Sequence, residues 1–356
     1  MSLSHSRIIV RSATEADIPA IIDLIVAQQT RQGRCDLRLP QVQTRAQWEA
    51  ALREGSQQEA LVALDKEGHV RGYARPGVWE IQPTSILRAF LTARNGIVSS
   101  LTLPDPTDED TGAVVMVLLR ALDTFWQQAG TSGDLVRWPS TDRWLEAALT
   151  TQGLQLDSVC ALRPLAPWFV DRPAPGPLQR VRMARPDDED ALVALFKEEL
   201  LFHERYTPFV RSSAPVLDAF HRKLKSMWEG DVLDVLDAGA PVLLVVEHAG
   251  RVVAMAENTL LAVAPGDEPG YTPAGCYWCL DNVSVCEALQ GQGIGRLLVQ
   301  GVEDVREELD LQLSGYVLWF NPDNPRAARF WSQLGFQPLW TTYQRLRVPG
   351  DGAAMP

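Results

Sequence analysis

The chain lacks the features that would suit it to a membrane, a nucleic acid or a disulfide scaffold. No apolar run in its 356 residues approaches the roughly 18 that a spanning helix needs, which argues for a soluble chain without a membrane partner. The first residues lack the charged-then-apolar layout of a secretory leader. Positive charge is short: 33 Lys and Arg stand against 45 Asp and Glu, a net charge of −12. Nucleic acid demands a basic surface, so that partner class is argued against. An acidic balance is compatible with a cationic amine, though solubility alone also accounts for it. The five cysteines are odd in number and scattered, as expected of a protein in a reducing cytoplasm. Cys276 and Cys279 have CxxC spacing, yet three residues apart on a strand they point to opposite faces. No second Cys/His pair follows at metal-ligand spacing, so no metal site is expected.

Two common phosphate loops are also missing. The stretch Gln290-Gly-Gln-Gly-Ile-Gly295-Arg296 lies between a β-branched, aromatic segment (276–285) that reads as a strand and a segment (294–309) with Leu297, Leu298, Val302 and Val305 at helical spacing. Glycines at such a junction let backbone N–H groups gather around an anion at the helix N-terminus. A dinucleotide fingerprint would need glycine at 296 or 298, which hold Arg296 and Leu298. A P-loop would need a Gly-Lys-Ser/Thr ending, and none follows. Gln290, Gly293 and Gly295 instead fit Gln/Arg-x-x-Gly-x-Gly/Ala. Downstream, 316–321 (YVLWFN) reads as the next strand, followed by Asn324, Ala327, Phe330 and Trp331 on a short helix, then Gly335-Phe336.

On these two ordered signatures the second half of the chain resembles the GCN5-related N-acetyltransferase (GNAT) family. The resemblance implies transfer of an acetyl group from acetyl-CoA to a primary amine of a small molecule or peptide. It implies that Gln290, Gly291, Gln292, Gly293, Ile294, Gly295 and Arg296 hold the pyrophosphate. Backbone at Val283, Ser284 and Val285, freed where its strand splays from the next, would pair with the pantetheine arm and polarise the thioester. Asn324 and Phe330 would complete the cofactor-binding set.

Aminolysis of a thioester needs an unprotonated amine, a polarised carbonyl and a proton for the leaving thiolate. Many relatives carry a Glu base where this chain has Cys279. Strict alternation puts Tyr277, Cys279, Asp281, Val283 and Val285 on one face, which makes Asp281 the candidate base and Glu257, on the neighbouring hairpin, its runner-up. The family's usual proton-donating Tyr is replaced by Trp331, whose indole is not acidic, leaving Tyr343, Tyr277 or water for that task. The segment 200–228 is where the acceptor pocket is expected: His203, Glu204, Tyr206 and His221 supply polar groups there, neither His being a catalytic candidate, while Phe202, Phe209, Phe220 and Trp228 read mostly as core at helical spacing. Departure from both usual acid/base positions motivates a rival reading, a non-catalytic acyl-CoA-binding or sensing protein.

The chain also repeats itself. Residues 10–17 (VRSATEAD) match 181–188 (VRMARPDD) at an offset of 171, and a hairpin pattern at 61–70 matches 243–252 at an offset of 182. The expected fold is therefore α/β (α+β): two tandem GNAT-like domains, each a mixed, mostly antiparallel sheet flanked by helices. The first is placed at 1–165 and the second at 179–356, joined by a linker at 166–178 amid Pro164, Pro167, Pro173, Pro175 and Pro177. The tandem arrangement is similar to that of the mycothiol synthases. At offset 182 the glycine loop falls on Asp108, Thr111 and Ala113, with Glu109 and Asp110 between, and Asn324 falls on Asp142. Carboxylates repel phosphates, so the first copy is expected to have lost acetyl-CoA and to keep a solvated helix start there. A tandem pair satisfies internally what single domains make between chains, giving a monomeric pseudo-dimer or a homodimer.

Overall fold

The computed structural model describes residues 8–54, 59–166, 168–169, 171–228, 241–265 and 272–347; Pro167 lies outside them. The first half runs β1 (Ile9–Ser12), α1 (Ile18–Cys35), α2 (Arg45–Glu54), β2 (Leu61–Leu64), β3 (Val70–Glu80), β4 (Arg94–Thr102), α3 (Thr111–Gln128), β5 (Gly133–Pro139), α4 (Glu146–Thr151) and β6 (Gln155–Pro164). The second runs β7 (Gln179–Met183), α5 (Glu189–His203), α6 (Ala214–Met227), β8 (Val242–His248), β9 (Arg251–Val263), β10 (Gly275–Val285), α7 (Ile294–Glu308), β11 (Gly315–Phe320), α8 (Pro325–Gln333) and β12 (Gln337–Leu346).

Sequence repetition becomes structural repetition at the start of each half. Arg11 grips Asp17 through two hydrogen bonds of 2.7 and 2.8 Å, and Arg182 grips Asp188 through two of 2.6 and 2.9 Å. Each carboxylate also accepts a backbone N–H three residues upstream, at Thr14 and at Arg185. This clamp fixes the turn from first strand into first helix. Within α7, Ile294, Leu297, Leu298 and Val302 are buried at helical spacing against the sheet, each contributing roughly 1.5–3 kcal/mol. The extra residues of the second copy fall in a longer α6 and in the segment after Trp228, which lies outside the described residues.

The twelve strands of the described residues form one sheet in the order β1-β2-β3-β4-β5-β12-β6-β11-β10-β9-β8-β7. Only β4–β5 and β10–β11 are parallel; every other neighbouring pair is antiparallel, as expected of each copy. The last strands of the two halves change places. β6 lies between β12 and β11, and β12 lies between β5 and β6. Gly133 stands opposite Leu346 as Gly315 stands opposite Pro164, the repeat offset of 182 holding on both sides. A pseudo-two-fold therefore passes between β6 and β12. The linker marks where the sequence repeats, but the sheet does not divide there. Gly315 shows how close the exchange is: a Cβ on it would meet the Arg163 carbonyl oxygen at 2.4 Å.

The proline-rich join is itself anchored. Trp168 is buried, its indole donating to Glu303 Oε2 at 2.8 Å, and Arg172 bridges Asp304 and Glu307 on α7. The turn Ile86–Ala89 of the first half reaches over to α6, and Arg211 N, just ahead of that helix, bonds the Ala89 carbonyl at 2.8 Å.

Candidate active site

The parallel pair β10–β11 runs in register only from Tyr277 opposite Gly315 to Leu280 opposite Leu318. Beyond that β11 turns away, and β10 continues to Val285 paired with β9 alone. A cleft of about 760 Å³ opens in the fork, floored by Val283, Ser284 and Val285 and bounded by α5, the glycine loop and α8.

The strand does not alternate strictly through this region. Leu280 faces Asn258 and Asn282 faces Glu257, so Asp281 is the extra residue of a β-bulge. Tyr277 and Cys279 pack with Leu39, Cys160, Val317 and Leu339, whereas Val283 and Val285 join Trp278 and Leu280 in a different core. The single face expected from alternation is thus broken at Asp281. The first half carries a bulge at the same repeat position, Ser99, between Val98 and Ser100. Asp281 is exposed, lines the cleft, and accepts from Thr259 Oγ1 at 2.7 Å and Cys279 Sγ at 3.1 Å.

The loop has the form of an anion cradle. Gly291 and Gly293 have φ of +80° and +84°, values that other residues adopt at a cost. Leu297 N is the first to bond back, to Gly293 O, so the N–H groups of Ile294, Gly295 and Arg296 have no helical acceptor. Gln290 ties the loop to the strand by donating to Val285 O at 2.9 Å, and its amide oxygen accepts from Arg326. Gly295 lies against Phe330, and Arg296 stacks on Phe169 of the join with 4.5 Å to the ring centroid. Ile294 is core and Gln292 donates to Ala288 O, so these two contribute backbone rather than side chain. Asn324 caps α8, its amide oxygen accepting from Arg326 N and Ala327 N at 3.2 Å each, which leaves only its NH₂ for the cleft.

Three expected acid/base side chains are elsewhere. Glu257 is fully buried, held by Lys223 and Asn282 beneath α5 and α6, and does not line the cleft; burial pushes its pKa up. Tyr343 sits in the core of the first half, because β12 has crossed over to β5, and burial raises its pKa to about 12. Tyr277 is buried and bonded to Pro273 O. Of the expected acceptor segment, Phe202 and His203 line the cleft. Glu204 is bound to Ser212 N, His221 pairs with Glu189, and Phe220 stacks on Phe196 in the core. Tyr206 packs on Phe202, Phe209 is buried, and neither they nor Trp228 reach the cleft wall.

Sequence reasoning missed Glu199, Arg326 and Arg329, all of which line the cleft. The Glu199 side chain is 14% exposed, its Oε2 is buried without a hydrogen-bond partner among the described residues, and His203 Nε2 stands 3.8 Å from its Oε1. Burial, reinforced by the negative charge of Glu257, raises its pKa to about 8; burial lowers that of His203. The signal that could have found Glu199 was the repeat: an offset of 171 carries Gln28 onto it.

In the first half the equivalent fork is filled from within. Gln28 Nε2 donates to Leu101 O at 2.9 Å and its amide oxygen accepts from Leu103 N at 2.8 Å, bonding the β4 edge. Arg31 takes both oxygens of Asp142, at 2.8 and 2.9 Å. Asp108 and Asp110, in place of the glycine cradle, face Arg71 at 3.2 and 3.6 Å.

The site is thus a sheet forked at its parallel pair over a glycine loop and a helix N-terminus. Residues 202–336 match the model of the acetyltransferase (GNAT) family, and the chain carries a domain of that family. A GCN5-related N-acetyltransferase from Sphaerobacter thermophilus is similar over 96% of this chain and 96% of that one, with TM-score 0.54 and 16% identity, which shows a shared fold. A tandem GNAT protein from the clavulanic acid biosynthesis pathway is similar over 97% and 99% of the two chains, with TM-score 0.46 and 14% identity. No curated protein matches the sequence. No described helix is long and apolar enough to cross a membrane.

Proposed function

We propose that the second-half cleft transfers an acetyl group from acetyl-CoA to the primary amine of a small molecule or peptide. The observation that carries this reading is the unpaired β10 edge at Val283, Ser284 and Val285 running directly into a cradle of free helix N–H groups. The cradle takes a pyrophosphate, with Arg296, Arg326 and Arg329 adding positive charge. The strand edge pairs with the amides of a pantetheine arm, and a backbone N–H there polarises the thioester carbonyl as negative charge develops on its oxygen. Asp281 meets the incoming ammonium from the solvent side, and a cleft carboxylate removes its proton so that nitrogen can attack. The C–N bond forms, the C–S bond breaks, and the proton still on nitrogen leaves with the thiolate. Among the described residues no tyrosine lines the cleft, so the amine itself or water supplies that proton.

Support for a reducing compartment comes from the cysteines, all five of them free. The internal pseudo-two-fold favours a monomer, since the chain already contains the partner a single domain would seek. The test is release of free thiol from acetyl-CoA over a panel of polyamines, amino-sugars, aminoglycosides and peptides. Saturable thiol release with at least one amine is expected. Tight binding of acetyl-CoA with no release on any amine would refute catalysis and favour an acyl-CoA sensor.

A further inference from the structure

The two forks are related by the repeat, and one shows what the other does with the same helix position. In the first half Gln28, on α1, reaches the β4 edge and bonds both Leu101 O and Leu103 N. Offsets of 171 for the helix and 182 for the strand carry these groups onto Glu199, Val283 and Val285. An amide can satisfy such an edge because it both donates and accepts; a carboxylate can only accept. The same position in the second half therefore holds a side chain that cannot close the fork. It lines the same cleft as Val283 and Val285, mostly out of solvent, with one oxygen unpartnered among the described residues.

We propose that Glu199 is the general base of the acetyl transfer, taking one proton from the acceptor ammonium while Asp281 holds the cation by charge. This rests on the acetyltransferase reading above. The proton passes from R–NH₃⁺ to Glu199, the neutral amine attacks the carbonyl carbon, and thiolate leaves with a second nitrogen proton. Glu199 then returns its proton to solvent, so the net products are amide, thiol and one released proton. The division of labour follows the surroundings of the two carboxylates. Asp281 is exposed and already accepts hydrogen bonds from Thr259 and Cys279, which places its carboxylate where the cation enters from solvent. Glu199 is shielded, with Oε2 lacking a hydrogen-bond partner among the described residues and only His203 near Oε1, and burial raises its affinity for a proton. The titratable groups around it are Glu198 and His203 on α5, Glu257 on β9 with its partner Lys223 on α6, and Asp281 at the bulge. The cleft also carries Glu287, paired with Arg205, and Arg326, bound to Gln290, together with Arg296 and Arg329.

The experiment compares wild type, Glu199→Ala and Glu199→Asp for acetyl-CoA binding by calorimetry, for thiol release with the best amine across pH 6–10, and for thermal stability. With the Glu199 pKa raised to about 8, wild-type kcat/KM climbs as pH rises through that value. Glu199→Ala is expected to lose about a hundredfold or more at pH 8.5, on the scale of a lost general base, and to lose that limb of the profile. Glu199→Asp should recover part of both. Acetyl-CoA affinity should stay within about twofold, and melting should be unchanged or higher, because an unpartnered buried carboxylate is removed. Wild-type rate and profile in Glu199→Ala would overturn the assignment while leaving acetyl transfer standing. Absence of turnover in the wild type with every amine would overturn both.

Discussion

Replacing Arg345 by methionine tests whether the exchanged strands make one folding unit of the two halves. Arg345 sits on β12, near the end of the described chain, but its guanidinium is buried in the first half. Nε bonds Asp134 Oδ2 at 2.7 Å, Nη1 bonds the Gln152 carbonyl at 2.7 Å, and Nη2 bonds Asp123. Asp134 is fully buried. Removing one partner of a buried ion pair costs about 3–5 kcal/mol. Arg347 also contacts Asp123 and Asp134, each at 2.7 Å, which puts the expected loss near the lower end, about 3 kcal/mol. Unfolding entropy is roughly 2.1 cal/mol/K per residue, or about 0.7 kcal/mol/K for one unit of this length, so the midpoint should drop by about 4 °C. Two independent halves would each have about half that entropy, and the first alone would drop by about 8 °C. Differential scanning calorimetry of both proteins decides. A single transition moving by a few degrees is expected. Two transitions, only one of them displaced, would refute the claim that β6 and β12 bind the halves into one unit.

Gly293→Ala places a β-carbon on a residue with φ of +84°, and no atom lies within 4 Å to clash with it. Its cost to stability is therefore the left-handed backbone alone, about 1–2 kcal/mol, while acetyl-CoA should bind at least tenfold more weakly by calorimetry. Unchanged affinity would remove the loop from the cofactor site. Asp281→Asn, which removes the charge that holds the ammonium, should lower kcat/KM about tenfold to a hundredfold in the thiol-release assay, and unchanged activity would remove Asp281 from the mechanism. The hydrogen bonds from Arg11 hold the Asp17 carboxyl down to about 2, so its stabilising contribution is complete above the ordinary carboxylate range and is lost as pH falls through about 2. Arg11 is partly exposed, so after screening Asp17→Asn should cost about 1–2 kcal/mol in urea melts at pH 7, shrinking toward zero near pH 2. An equal cost at both pH values would mean the clamp acts through packing rather than charge.

What the sequence disclosed was what lies close along the chain. The glycine loop, the Asn324 cap and the aromatic pair at 330–331 are local patterns, and local patterns carry their own geometry. The repeat was legible for the same reason, since matching strands and turns leave matching letters. The exchange of β6 and β12 was not, because two antiparallel strands of similar apolar pattern can pair with either neighbour. Tyr343 was assigned to the wrong half on that account. The bulge at Asp281 escaped because a period of two has no mark for one extra residue, and everything after it changes face. Glu199 escaped for another reason: the repeat pointed to Gln28, but only the coordinates show what Gln28 touches.

The placing of β6 governs how this chain can be made. During synthesis β6 emerges with less than half of the chain finished, yet both strands that flank it, β11 and β12, come near the end. Until β12 is made, the edges of β5 and β6 that it bridges lack their native partner, the kind of surface that recruits other chains. Long-range pairings of this sort are slow to form. Closure of the sheet is therefore a late event, and a protein truncated before residue 337 lacks the strand that joins the β5 edge to the β6 edge.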